Sequence, residues 1–91
     1  AIWVLDFEYT ADSGESPDPV CMVAIELKSN REIALWRSDL NSPCPFDTGD
    51  RSLFVVYSGA GDMGCFLKSN WPLPDRMVDL YPEIKPRILP L

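Results

Sequence analysis

The chain has no histidine. Imidazole acid–base catalysis and His-ligated metal sites are therefore excluded. Basic runs are also missing. The eight Lys and Arg are scattered and the net charge is −6, which argues against a broad basic footprint for nucleic acid. That acidity does not exclude a metal-dependent nuclease, whose site is itself acidic until cations bind. The three cysteines include no Cys-X-X-Cys pair, so a zinc knuckle is not expected. Cys21 and Cys65 lie in apolar surroundings and read as small buried residues, and Cys44 lies between Pro43 and Pro45 in a loop. Unpaired thiols fit a reducing cytosol better than secretion, so a cytoplasmic location is expected. There is no signal peptide, no apolar run long enough to span a membrane, no internal repeat and no low-complexity stretch.

What is present suits one small domain. Of 91 residues, 46% are hydrophobic, with three Trp, three Tyr and four Phe; that allows a core, though a thin one. The chain opens at Ala1, inside what reads as its first strand, which suggests an excised piece of something longer.

Ile2 to about Glu8 is predicted to be a strand, apolar on both sides until Asp6, as suits a central strand covered on both faces. Thr10 to Pro19 is predicted to be a loop whose two prolines forbid regular pairing. Val20 to Leu27 forms a second strand, with Cys21, Val23, Ile25 and Leu27 facing one way and Val20, Met22 and Ala24 the other. A tight turn at 28–31, with Asn30 in left-handed backbone, leads to an antiparallel third strand, Glu32 to Arg37. Leu40 to Asp50 reads as irregular, and Ser52 to Tyr57 as a short buried strand. Ser58 is the expected N-cap of a helix carrying Met63, Phe66 and Leu67 on its apolar face. Gly59, Gly61 and Gly64 would let that helix pack closely on the sheet. Arg76 to Leu80 is a last short strand, leading into an extended proline-rich tail. The expected fold class is α/β: an antiparallel three-strand meander plus parallel strands in one mixed sheet, with one main helix.

Asp6 and Glu8, two residues apart on one strand, project from the same face. Two carboxylates held that close repel, and a hard divalent cation such as Mg²⁺ relieves the repulsion. They could equally reach into water as ordinary strand-end acids. Asp62 falls in the first turns of the helix, where the backbone dipole alone favours an acid. If the fourth strand lies beside the first, however, Asp62 starts close to Asp6 and Glu8, at the carboxyl ends of adjacent strands. Asp79 reads as structural or solvent-facing. Tyr9, directly after Glu8, is the aromatic best placed to touch a substrate. Trp36 and Trp71 could stack on bases, but core packing or a hydrophobic lid is the expectation for both.

Trp3-Val4-Leu5-Asp6-Phe7-Glu8 resembles the first motif of the DEDD 3′–5′ exonucleases, which share a ribonuclease H-like fold. The segment Phe54-Val55-Val56-Tyr57-Ser58-Gly59-Ala60-Gly61-Asp62-Met63-Gly64-Cys65-Phe66-Leu67 occupies the place of their second motif. Trp71-Pro72-Leu73-Pro74 and Met77-Val78-Asp79-Leu80-Tyr81-Pro82-Glu83 are similar to the segment after that motif in the exonuclease domains of family A, phage-type DNA polymerases. The resemblance covers most of the chain. It implies a partial ribonuclease H-like domain over residues 1–91 that lacks the family's C-terminal helices. It implies that Asp6, Glu8 and Asp62 hold two Mg²⁺ or Mn²⁺ ions roughly 4 Å apart around the scissile phosphate. It also implies that the intact protein takes the 3′ end of single-stranded DNA.

The chain departs from the family in two places. Ser58 and Gly61 stand where the family carries Asn and an aromatic residue. The third motif, a Tyr or His followed by the fourth carboxylate, has no counterpart; Tyr81 is followed by Glu83 too soon. The piece alone is therefore expected to be inactive or very weak. A sheet missing covering helices would expose apolar surface and strand edges, so a homodimer or domain swap is expected. The alternative is a non-catalytic interaction or structural module with the same type of sheet.

Overall fold

The computed structural model describes residues 1–10 and 17–81. The strand β1 (Ile2–Thr10) is nine residues long. It is the middle strand of a five-stranded sheet with order β3-β2-β1-β4-β5, completed by β2 (Asp18–Glu26), β3 (Glu32–Trp36), β4 (Leu53–Val56) and β5 (Met77–Asp79). The first three strands form the antiparallel meander. β4 then adds parallel to β1, and β5 parallel to β4 after a crossover through α1 (Gly59–Lys68). The fold class and element order expected from the sequence are thus present as a mixed α/β sheet with one main α-helix among the described residues.

The β2–β3 turn closes through Asn30, which takes the left-handed conformation with φ 58°, as its short polar side chain allows. Glu26, buried at the end of β2, fastens this corner. Its Oε2 accepts the Ile2 N–H at 2.8 Å, and its Oε1 accepts those of Lys28 and Ser29 at 3.1 and 2.9 Å. One charge thus ties the start of β1 to the hairpin turn.

Alternation decides which side chains enter the core. Trp3, Leu5 and Phe7 of β1, Met22 and Ala24 of β2, and Phe54 and Val56 of β4 are buried on one face. Cys65 and Phe66 of α1 and Trp71 just beyond it pack on that face. Leu40, from a 3-10 turn at Arg37–Asn41, and Phe46 complete the layer. Phe46 has no regular structure around it, yet it meets Trp3 and Phe54 edge-on at 5.0 and 5.3 Å between ring centroids. Trp71 donates its indole N–H to the Ser42 carbonyl at 3.0 Å, pinning the irregular segment over the core.

The helix sits close because it is built on glycine. A Cβ at Gly61 would overlap the Tyr9 hydroxyl, and one at Gly64 would press on Pro17. Ser58 is at the N-cap position, as expected, but its side chain makes no capping bond. Asp79, at the end of β5, takes that role. Its Oδ2 accepts the Gly59 N–H at 2.8 Å and its Oδ1 the Tyr81 N–H at 3.1 Å.

Three local expectations need correction. Pro19 does not end the pairing: β2 begins at Asp18, and Pro19 faces Tyr9 where the register shifts between Glu8 and Tyr9. A proline is tolerated beside such a bulge because the ladder is already interrupted there. Second, β1 and β2 are not covered on both faces by the described residues; Val4 is 42% and Val23 43% exposed. Third, Trp36 lies outside the core at 57% exposure, whereas Trp71 is buried as expected. The expected loop at 11–16 and the proline-rich tail lie outside the described residues.

Candidate functional site

β4 is five residues shorter than β1, and the difference in length shapes the site. The parallel ladder stops at Val4 opposite Val55, so beyond that point β1 has no strand beside it on the β4 side. The Phe7 N–H lies in this stretch. It donates to Oδ1 of Asp62 at 3.2 Å. The helix leaving β4 thus brings a carboxylate to the position where a longer β4 would have offered a carbonyl.

Asp62 is 2% exposed. Burial pushes its carboxyl up from the usual 3.8 to about 6; the Phe7 N–H opposes the shift, and the nearby charges of Asp6 and Asp79 add to it. Glu26 makes the contrast plain. It too is buried, but three backbone N–H groups hold its charge, led by that of Ile2, and its carboxyl falls to about 2. A carboxylate with enough donors is structural and settled. Asp62 has backbone donors at Phe7 and Ser58, but burial and the like charges of Asp6 and Asp79 outweigh them, which gives it the character of a group that favours a cation or a proton.

Asp6 and Glu8 are exposed and point to the face opposite Trp3, Leu5 and Phe7, as alternation requires. The Phe7 amide, which Asp62 holds, lies between them in sequence. Asp6 acts electrostatically on Asp62, so these two expected ligands feel each other's charge, although Asp6 leaves β1 on the exposed face. Glu8 does not contribute to the shift of Asp62. Asp79 is the third acid at this end, and its two carboxylate oxygens are already engaged by backbone N–H groups. Among the described residues, no group of three or more His, Cys, Asp or Glu is arranged to hold a metal ion. The donor set can still be weighed against a divalent ion. Mg²⁺ is commonly held by one or two carboxylates, with water and substrate phosphate filling the other positions. By donor count alone, Asp6 and Asp62 would suffice for one ion of that kind. A second ion would need Glu8 to turn inward and a further donor.

Tyr9 is next to this pair. Its hydroxyl lies against Gly61 in the first turn of α1 and the residue is 38% exposed. Gly61 is therefore the position that makes room for Tyr9. Sequence inspection missed Glu26 as the anchor of the hairpin, and it left Asp79 without a specific partner. An acid at the end of a strand before or after a helix carries no spacing signal for such a capping role. No family model, curated protein or solved structure matches this chain.

Proposed function

We propose that this chain carries the first two acidic motifs of a metal-dependent 3′–5′ exonuclease of the DEDD type, within a ribonuclease H-like domain of a DNA polymerase. The observation that supports it best is the placement of Asp62: buried, its carboxyl raised in part by the charge of Asp6, and bonded to the amide between Asp6 and Glu8. Asp6 and Asp62 would hold a Mg²⁺ or Mn²⁺ ion, with Glu8 as the further carboxylate on the same strand. Tyr9 flanks the 3′ end of a single DNA strand. Divalent ions, when bound, supply the activation of water and the steadying of the leaving oxygen. The role of the protein residues is to fix those charges on a rigid strand and a helix start. The family's fourth carboxylate has no counterpart in the 91 residues, so the chain alone hydrolyses DNA weakly or not at all.

A second reading has an observation of its own. The Asp62–Phe7 bond satisfies an amide at a strand edge, which a non-catalytic module would also need. Thermal unfolding with and without Mg²⁺ or Mn²⁺ separates the two. An ion that binds only the folded state raises the melting temperature. The exonuclease reading expects a rise that disappears in Asp6→Ala and in Asp62→Asn. No rise in the wild-type protein at millimolar ion leaves the non-catalytic module.

A further inference from the structure

A second polar feature lies at the other end of α1. A cleft of about 400 Å³ opens between the start of β2, the 3-10 turn and the end of the helix, lined by Arg37, Ser38, Asn41, Lys68, Ser69 and Asp18 among others. Two cations from separate elements face it in a chain whose net charge is −6. Neither forms an ion pair among the described residues. Asp18 lines the same cleft without pairing with them. Lys68 suits the carboxyl end of a helix through the dipole alone, but that does not account for Arg37.

Arg37 is held with φ 44°, a conformation that residues with a Cβ adopt rarely and at some cost in strain. Its guanidinium lies 5.3 Å from the ring centre of Trp36. This stacking restrains a side chain that would otherwise be mobile. Trp36 itself is left 57% exposed. Ser69 Oγ, on the opposite wall, is the only buried side-chain polar atom without a hydrogen-bond partner among the described residues. An oriented guanidinium, an ammonium group, an unused hydroxyl and an exposed indole together match single-strand binding surfaces, where cations take phosphates and aromatic rings take bases.

We infer that the Arg37–Lys68 cleft binds a backbone phosphate of a single nucleic-acid strand, with Trp36 available to stack on a neighbouring base. The inference rests on the exonuclease reading and extends it. Asp62 and Lys68 are separated by about 9 Å along the helix axis, at 1.5 Å per residue, a length that a few nucleotides span. A strand with its 3′ end at Asp6 and Asp62 is then gripped upstream by the cleft.

The test is fluorescence anisotropy of a labelled oligothymidylate of about a dozen nucleotides, in chelator so that no metal contributes, with the complete chain. Arg37→Ala combined with Lys68→Ala should weaken binding about tenfold and flatten the salt dependence by about 1.4 in log–log slope, the value for two lost contacts to a single strand. Lys68→Glu, an exposed helix position, repeats the test without touching the backbone at residue 37. Lys28→Ala with Arg51→Ala, at the opposite end of the sheet, should change affinity by less than about twofold. Equal losses from both double variants, or an unchanged slope, would overturn the proposal. So would inorganic phosphate competing as strongly as the oligonucleotide, which would make the cleft a small-anion site. The metal-induced rise in melting temperature should survive in the Arg37/Lys68 variant. Its survival together with unchanged DNA affinity would remove the cleft and leave the exonuclease reading standing.

Discussion

The two faces of the sheet are made of similar residues but have different environments. On the helix side, Trp3, Leu5, Phe7, Phe54 and Val56 are buried beneath Phe46, Phe66 and Trp71, with rings meeting edge to face. On the other side, Val4, Val23, Ile25 and Val78 stand 38–43% exposed. Strands that are apolar on both sides encode two packing layers, and the described residues supply one. Among the described residues, shielding of the open face comes from neighbouring strands of the sheet. The sheet side chains are thus alike in hydrophobicity across the two faces, and the difference is whether α1 and the segment around Phe46 reach them.

That difference should be large in stability. Phe54 is fully buried at the centre of the ring cluster, and Phe54→Ala should cost about 3–5 kcal/mol, enough to unfold much of so small a chain. Val23→Thr on the open face should change stability by less than about 0.5 kcal/mol. Chemical denaturation of both variants measures the contrast. Comparable losses would mean that the open face is packed in solution.

The buried carboxylates of the two regions should respond to pH in opposite directions. The carboxyl of Glu26 is lowered to about 2 in the folded chain. Its stabilisation is complete above about 4.5, the ordinary value, and is lost as pH falls toward 2. Asp62 is raised to about 6. The fold prefers its neutral form, so stability falls as pH rises from about 3.8 to about 6, and the cost persists at neutral pH. Asp62→Asn keeps an oxygen for the Phe7 N–H and removes that charge. It should stabilise the metal-free protein by on the order of 2 kcal/mol at pH 7.5 and by almost nothing below pH 4. Glu26→Gln should destabilise at pH 7.5, with the difference shrinking below pH 4. Melting curves across that range, in chelator, test both signs. A destabilising Asp62→Asn at neutral pH would make Asp62 a structural cap.

The same contrast explains what could be read from residues alone. Element order, the antiparallel meander and the position of α1 follow from short apolar runs, the polar break at 28–31 and the glycine-rich helix start, all local signals; that β4 lies beside β1 is a long-range pairing that no local signal carries. The expectation that Asp62 starts near Asp6 depends on β4 lying beside β1, because topology then fixes where a helix leaving β4 must begin. The fate of the second apolar face could not be read, since Val4 and Val23 look the same whether or not a layer covers them. The Arg37–Lys68 cleft depends on the 3-10 turn and on a left-handed Arg37, neither of which has a signature in spacing. Glu26 and Asp79 act on backbone N–H groups from other elements, contacts that exist only once the sheet is assembled.

The smallest expected effect on folding is the most informative about the open face. Its exposed Val4, Val23, Ile25 and Val78 side chains form a contiguous apolar patch of the kind a second copy could cover. Ile25 lies within it, 40% exposed and opposite Val4. Ile25→Lys should alter the stability of the monomer by less than about 0.5 kcal/mol, since a long side chain at a half-exposed position keeps its charge in water. If a second copy covers this face, the same substitution should halve the mass measured by light scattering at high concentration, because an unpaired charge would then be buried in the contact. A wild-type chain that remains monomeric throughout would overturn the expected dimer, and a dimer whose mass Ile25→Lys leaves unchanged would place the association at the strand edges of β3 and β5.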